Sequence, residues 1–131
     1  MEFLIVVAAA LASYIFGAIW YMALAQPWMQ AAGVKADENG RPVNTAGAMP
    51  YIIAFLCALL VAGMMRHVFA LSGIDTVGGG LIGGLGIGLF LAAPWLVTNY
   101  AFAGRSRILM LIDGGYTVIG CTLMGLVLTL L

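Results

Sequence analysis

Asp113 is the residue of this sequence best placed to do chemistry, because it is an acid inside a long apolar stretch. It lies about two helical turns beyond Ser106, or roughly 10 Å along a helix axis. An acid at this depth is a candidate proton or cation site. It can also be a structural residue that arginine and hydroxyl groups satisfy, and we favour this interpretation. The polar cluster that we expect to be buried at this level comprises Asp113, Asn99, Arg105 and Tyr116. Thr98, Tyr100 and Tyr51 are further expected neighbours of Asp113 at the same depth.

The other reactive side chains form no catalytic or metal-binding pattern. Cys57 and Cys121 lie in separate apolar runs, where a free cysteine behaves as a small hydrophobic residue. The single histidine, His67, cannot build a bis-histidine haem site within one chain. The HExxH, paired-cysteine and Ser-His-Asp patterns do not occur. We therefore expect no catalytic residue, no metal ligand, no resident cofactor and no enzyme activity.

The composition indicates that lipid surrounds these residues. The chain of 131 residues is 64% hydrophobic and 8% charged, whereas soluble domains are about 45–50% apolar and about 25% charged. Its formal net charge is zero, which gives nucleic acid no electrostatic surface to bind. The composition therefore excludes a soluble domain and a disordered chain, and it predicts an integral membrane protein.

Four apolar stretches are long enough to cross a bilayer, which takes about 20 helical residues. They cover residues 3–25, 49–71, 77–102 and 108–131. Lipid offers no partner to an open backbone group, so these stretches must be helices. The prediction is an all-α integral membrane protein, a single transmembrane domain of residues 1–131 with four transmembrane helices in an antiparallel bundle. The tight loops at Gly73 and Gly104 should make sequential helices antiparallel neighbours.

The polar loop 26–48 separates the first two helices. Its beginning, residues 26–29, predicts a short helix in the membrane interface. Pro50 suits the first turn of the second helix, where a missing N–H costs nothing. Pro94 removes a backbone hydrogen bond and predicts a kink in the third helix before Trp95.

Lysine and arginine are distributed unevenly between the two sides of the membrane. The first and third loops with their flanks carry Lys35, Arg41, Arg105 and Arg107. The opposite side carries only Arg66, which we expect to form a surface ion pair with Asp75. The positive-inside rule then places loops 26–48 and 103–106 in the cytoplasm. Both termini would be periplasmic in the inner membrane of a bacterium.

Aromatic residues with a polar edge are concentrated on the side of the first and third loops. Trp20, Tyr21, Trp28 and Trp95 are the predicted aromatic anchors. Tryptophan and tyrosine prefer the headgroup level, so a belt at the interface is the favoured interpretation. A partner or ligand surface rich in aromatic residues is the alternative.

The third helix carries small residues at a spacing of four. Gly80, Gly84 and Gly88 share one helix face, and small residues allow membrane helices to approach closely. These residues, together with Gly17, are candidates for helix packing or partner contact. Packing inside the chain and packing against a neighbouring subunit both remain open.

Two groups of motifs resemble the DUF1761 family of small bacterial membrane proteins. The N-terminal group is Gly17-x-x-Trp20-Tyr21 followed by Pro27-Trp28-Met29, and the C-terminal group is residues 104–107, residues 111–116 (Leu-Ile-Asp-Gly-Gly-Tyr) and Gly125. The chain departs from the family at residues 26–27, Gln-Pro, where members often have Gly-Lys. The resemblance covers essentially the whole chain. It implies a four-helix membrane fold and no assigned activity.

Three functions are consistent with these features. The first, which we expect, is a non-catalytic accessory or structural subunit of a larger membrane complex, photosynthetic or respiratory by analogy. The second is a small homo-oligomeric transporter or channel that uses Asp113. The third is binding of a lipid, quinone or carotenoid against Trp20, Trp28, Trp95 and the glycines. The expected partners are membrane lipids and either other membrane protein subunits or further copies of the chain.

Overall fold

The computed structural model describes residues 2–43 and 46–131, so Met1 of the predicted domain and residues 44–45 of the polar loop lie outside the described residues. The elements are α1 (Glu2–Ala23), α2 (Ala25–Ala32), α3 (Met49–Ser72), α4 (Val77–Ile87), a π-helical turn (Gly88–Ala92), α5 (Ala93–Phe102) and α6 (Arg107–Leu130). Helices α1, α3 and α6 and the continuous helical segment Val77–Phe102 are long and apolar enough to cross a membrane. The predicted all-α fold with four transmembrane helices is confirmed.

The helix ends follow local backbone chemistry. Helix α1 stops two residues before the predicted position 25, and after a turn at Leu24 the short α2 begins. Helix α3 ends at Ser72 and is capped by Gly73, whose φ of 70° is left-handed, and Gly104 has a φ of 71° in the loop before α6. Only glycine adopts this conformation without steric cost, which explains how both loops can be so short. Pro50 lies in the first turn of α3, as predicted.

The third span contains a π-helical turn where the sequence predicts a kink. The backbone N–H of Ala93 donates to the carbonyl of Gly88, five residues earlier. Pro94 follows directly, and it lacks the N–H that would bond four residues back, while its ring would clash with that carbonyl. The wider turn accommodates the proline, so the helix continues from Val77 to Phe102 without a break.

Helix α6 is the centre of the molecule. It packs along α4 on one side and along α1 on the other, and α3 packs mainly against α1. The expected pairing of the second and third spans is limited to one end, where the ring of Phe69 meets Gly83 beside the short Gly73 loop. Helices α3 and α5 do not touch. The other end of α3 is attached to α1, because the Tyr14 hydroxyl donates to the carbonyl of Tyr51 at 3.1 Å.

The apolar core occupies the membrane half farther from the polar loop. It consists of Ala9, Ala10, Ala58, Ala62, Met65, Phe69, Cys121, Met124 and Leu128. The four alanines let α1 and α3 approach closely, and the larger side chains of α3 and α6 fill the space between them. Cys121 is a free thiol in this core and Cys57 is a free, exposed one, in agreement with the prediction that neither forms a disulfide.

The glycine face of the third span lies against α6 of the same chain. A β-carbon on Gly84 would lie 3.0 Å from the Thr122 Cα, and one on Gly88 would lie 2.8 Å from the Val118 Cα. Gly80 meets the backbone of Gly125 in the same way. Of the two alternatives for these glycines, the structure has packing inside the chain, because α6 already covers the face that a neighbouring subunit would need.

At the membrane end opposite the polar loop, Arg66 has a different partner from the one expected. Its guanidinium lies 3.1 Å from the carboxylate of Glu2, so the predicted pair of Arg66 with Asp75 is wrong. Helix α1 lies directly beside α3 at this end. Glu2, in the first turn of α1, therefore lies within reach of Arg66.

Candidate functional site

The carboxylate of Asp113 joins three helices through two hydrogen bonds. The hydroxyl of Tyr21 on α1 donates to Oδ1 at 2.6 Å, and the hydroxyl of Tyr100 on α5 donates to Oδ2, also at 2.6 Å. All three side chains are half-buried. We call this group the Asp113–tyrosine cluster. Short hydrogen bonds to an ionised acceptor are among the stronger ones in proteins.

The backbone of α6 at this level is attached to α1 by the neighbouring tryptophan. The indole N–H of Trp20 donates to the carbonyl of Ile112 at 2.9 Å. Its ring lies over Gly115, where an added β-carbon would be 2.9 Å from Cζ2. Trp20 therefore holds α1 against α6 and is not simply an anchor in the lipid interface.

Tyr116 fills the space that Gly17 leaves open. A β-carbon on Gly17 would lie 2.7 Å from Cε1 of Tyr116. The Tyr116 ring meets Tyr21 edge-on at 5.5 Å and stacks on Phe16 at 6.2 Å between centroids. The motif at residues 17–21 and the motif at residues 111–116 thus meet in space, although about ninety residues separate them.

The structure brings together only part of the polar cluster that the sequence indicates. Tyr116 joins it through ring contacts. Asn99 is exposed, and its side chain makes no hydrogen bond to any part of the chain that the structure describes. Arg105 is also exposed, and it donates to the carbonyl of Ala32 at 3.3 Å. Tyr100, one residue beyond Asn99, takes the inward position because a helix turns by about 100° per residue.

Tyr21 is the partner of Asp113 that sequence reasoning missed. The sequence places it as an aromatic anchor at the correct depth, beside Trp20. Depth alone cannot show which way a ring points, because residues of every orientation share that level. The other two anchors have different surroundings: Trp28 packs edge-on against Tyr21 at 6.2 Å between centroids, whereas Trp95 is 67% exposed.

A cavity of about 220 Å³ lies beside the carboxylate of Asp113. Its lining residues come from α2 and the chain after it, from α5, from the loop before α6 and from the first half of α6: Trp28, Ala32, Val34, Tyr100, Arg105, Leu109 and Asp113. The guanidinium of Arg105 borders this cavity without forming an ion pair with Asp113, because within residues 2–43 and 46–131 the one ion pair is Arg66 with Glu2. The described residues contain no group of three or more His, Cys, Asp or Glu side chains that could hold a metal ion.

These features define a multi-pass membrane protein with four spanning helices and an acidic residue held between α1, α5 and α6. The chain belongs to the DUF1761 family, described as a protein of unknown function, and the match covers residues 4–129. Both family-like motif groups of the sequence contribute to the site. No curated protein and no solved structure matches the chain.

Proposed function

We propose that this protein is a non-catalytic accessory subunit that packs against other membrane proteins in the inner membrane of a bacterium. Among the described residues, the intramembrane acid is already bonded to two hydroxyls of its own chain. The half of the interior farther from the polar loop is apolar. The outward helix surfaces are therefore the parts of this fold that another membrane protein can contact.

The observation that carries this proposal is the uneven burial of the four spans. In the most apolar window of α6, 44% of the residues are buried inside the chain, compared with 22% in each of the other three spans. The outer spans therefore present most of their large apolar side chains outward. Since α6 covers the glycine face, the partner contact must use other residues, and the outer faces of α1, α3 and the α4–α5 span are the surfaces available.

Photocrosslinking from single outward positions tests this proposal. A diazirine amino acid would replace Leu60 on α3, Phe90 in the π-helical turn or Met22 on α1, which are 74%, 78% and 71% exposed. We expect one of these matched positions to give a discrete protein adduct in native membranes, because a partner covers one face and lipid covers the others. Lipid adducts alone at all three positions would contradict an accessory role.

The orientation in the membrane is part of the same proposal. Loop 103–106 and the described residues of loop 26–48 (26–43 and 46–48) lie at one end of the bundle, which we call the loop side. These loops and their flanks carry four of the five Lys and Arg residues, which supports a cytoplasmic loop side and periplasmic termini. A reporter that is active only in the cytoplasm should be inactive when fused after Leu131. The same reporter inserted at Glu38 should be active, and the reverse pattern would invert the topology.

A transporter or channel that uses Asp113 is the second candidate function. The cavity beside Asp113 favours it, because an ionisable group next to open space is what a transported ion or substrate needs. The apolar core in the other half of the membrane offers no polar path through one chain. Further copies of the chain would have to supply that path, as in a homo-oligomer.

Binding of a lipid, quinone or carotenoid is the third candidate, and it has one supporting feature. A cavity of about 290 Å³ lies between α1 and α3, lined by Tyr14, Ala48, Tyr51, Ile52, Phe55 and Leu56. This apolar lining suits a hydrocarbon chain or a ring. The residues that the sequence suggests for such a ligand, Trp20, Trp28, Trp95 and the glycines, do not line this cavity.

A further inference from the structure

No cationic side chain of the described residues pairs with the Asp113 carboxylate. An ionised carboxylate offers about four lone-pair directions, and the two tyrosines take one on each oxygen. Both donors are neutral, and no cationic side chain in the described ranges lies within 4.0 Å of this acid. When this carboxylate is ionised, a cation in the space beside it would compensate a half-buried negative charge that has no positive partner in the described chain.

The lining of the cavity indicates what kind of cation fits. Trp28 and Tyr100 border the space next to Asp113, and aromatic faces attract organic cations. Calcium takes six to eight oxygen ligands and magnesium requires an octahedral set, whereas the site offers one carboxylate and the described chain has no acidic cluster. An ammonium group, which donates hydrogen bonds to a carboxylate and packs against rings, suits this lining better than a metal ion.

Arg105 adds a second recognition element to the same cavity. Its guanidinium has five N–H donors in a planar fork that suits a phosphate or carboxylate, and one nitrogen bonds Ala32 weakly, at 3.3 Å. A cationic and an anionic side chain therefore border one space without pairing with each other. A ligand with the complementary pair of charges would satisfy both.

We propose that this cavity binds an aminoethyl phosphate group, with its ammonium on Asp113 and its phosphate on Arg105. The cavity of about 220 Å³ is smaller than the sites of about 300–1,000 Å³ that hold drug-sized ligands, which suits a group of this size. Asp113 lies deeper in the membrane than Arg105, so the ammonium enters first. A phospholipid carries its phosphate on the deeper side of its ammonium, so the geometry favours a free solute from the loop side. This inference is independent of the proposed accessory role.

Titration of the full chain in maltoside detergent with phosphoethanolamine tests the site, with ethanolamine and phosphocholine as comparison ligands. We expect phosphoethanolamine to bind at least tenfold more tightly than either comparison ligand. Ethanolamine lacks the phosphate for Arg105, and phosphocholine has no N–H to donate to Asp113. Absence of phosphoethanolamine binding to the unmodified chain would overturn the proposal.

Two substitutions separate the two halves of the site. Asp113→Asn should weaken both phosphoethanolamine and ethanolamine at least tenfold, whereas Arg105→Gln should weaken phosphoethanolamine and leave ethanolamine unchanged. Asp75→Asn is the matched control, an exposed acid at the opposite membrane end, and it should leave binding unchanged. Equal affinity in the unmodified chain and in both site variants would refute the assignment.

A third substitution guards against a folding defect in the Asp113 variant. Trp28 makes no hydrogen bond to Asp113, Tyr21 or Tyr100 but packs edge-on against Tyr21, so Trp28→Leu removes an aromatic side chain of the cavity lining and none of the hydrogen bonds of the Asp113–tyrosine cluster. It should weaken phosphoethanolamine binding several-fold. Normal affinity in this variant would contradict the role of Trp28.

A comparison of nanodiscs of phosphatidylethanolamine with nanodiscs of phosphatidylcholine identifies the source of the aminoethyl phosphate group. If phosphatidylethanolamine nanodiscs weaken phosphoethanolamine binding and phosphatidylcholine nanodiscs do not, the site binds a lipid headgroup. The proposed entry of a free solute would then be wrong.

Discussion

Gly84→Ala should lower the free energy of unfolding by about 1–3 kcal/mol, the cost typical of adding a methyl group to a closely packed interface. The added carbon would press on the backbone of Cys121 and would lie 3.0 Å from the Thr122 Cα. Backbone atoms cannot rotate away as a side chain can, so α4 and α6 must separate along their whole contact. A denaturation series in mixed detergent micelles would measure the loss.

Gly86→Ala is the matched control for this prediction. It lies on the same helix, two residues away, and an added β-carbon there meets no atom within 4 Å. Alanine forms helices better than glycine by about 0.8–1 kcal/mol in water, so this variant should be as stable as the parent or slightly more stable. Both substitutions raise the helix propensity by the same amount. The difference between their free energies of unfolding therefore measures the packing cost at Gly84. Equal losses would mean that α4 and α6 do not pack through Gly84.

Asp113→Leu should cost about 2–5 kcal/mol, because it removes the acceptor from two half-buried hydroxyls at once. Each buried polar group left without a partner costs about 1–3 kcal/mol, and the half burial of these two hydroxyls keeps their joint cost below the top of the doubled range. Asp113→Asn keeps one acceptor oxygen in the same shape and should cost roughly 1 kcal/mol, so it remains folded enough for binding measurements. The same micelle denaturation series measures both variants.

The double substitution Tyr21→Phe, Tyr100→Phe provides the control for the Asp113 prediction. If the two hydroxyls act only through Asp113, adding Asp113→Leu to this double variant should cost much less than in the parent chain, because interacting residues are not additive. A full additional loss would show that the destabilisation arises from the packing of the introduced leucine side chain and not from the lost hydrogen bonds.

Several features of the fold could be predicted from the sequence because each depends on few neighbouring residues. The four spans follow from the length and apolarity of each stretch, since a chain in lipid must satisfy its backbone within a helix. The tight loops follow from Gly73 and Gly104, whose left-handed conformation favours glycine. The small-residue face at Gly84 follows from a spacing of four.

The partner of each residue depends on which sides of the helices face each other, and this is a property of the whole fold. Spacing shows that Gly84 lies on a packing face, but only the position of α6 shows that its own chain covers that face. Depth places Tyr21 and Asn99 near Asp113, but the rotation of each helix selects Tyr21 and Tyr100 and leaves Asn99 exposed. Arg66 bonds Glu2 because α1 lies beside α3.

Hydropathy and helical rise act residue by residue, and they are therefore enough to establish the lipid surroundings, the number of spans and the depth of each polar group. The rotation of each helix and the identity of its neighbours follow from the folded arrangement. Those depend on packing between segments far apart in the chain, such as residues 17–21 and 111–116, which meet around Asp113. Lipid solvates every apolar face about equally well, so hydropathy carries no signal for which face turns inward.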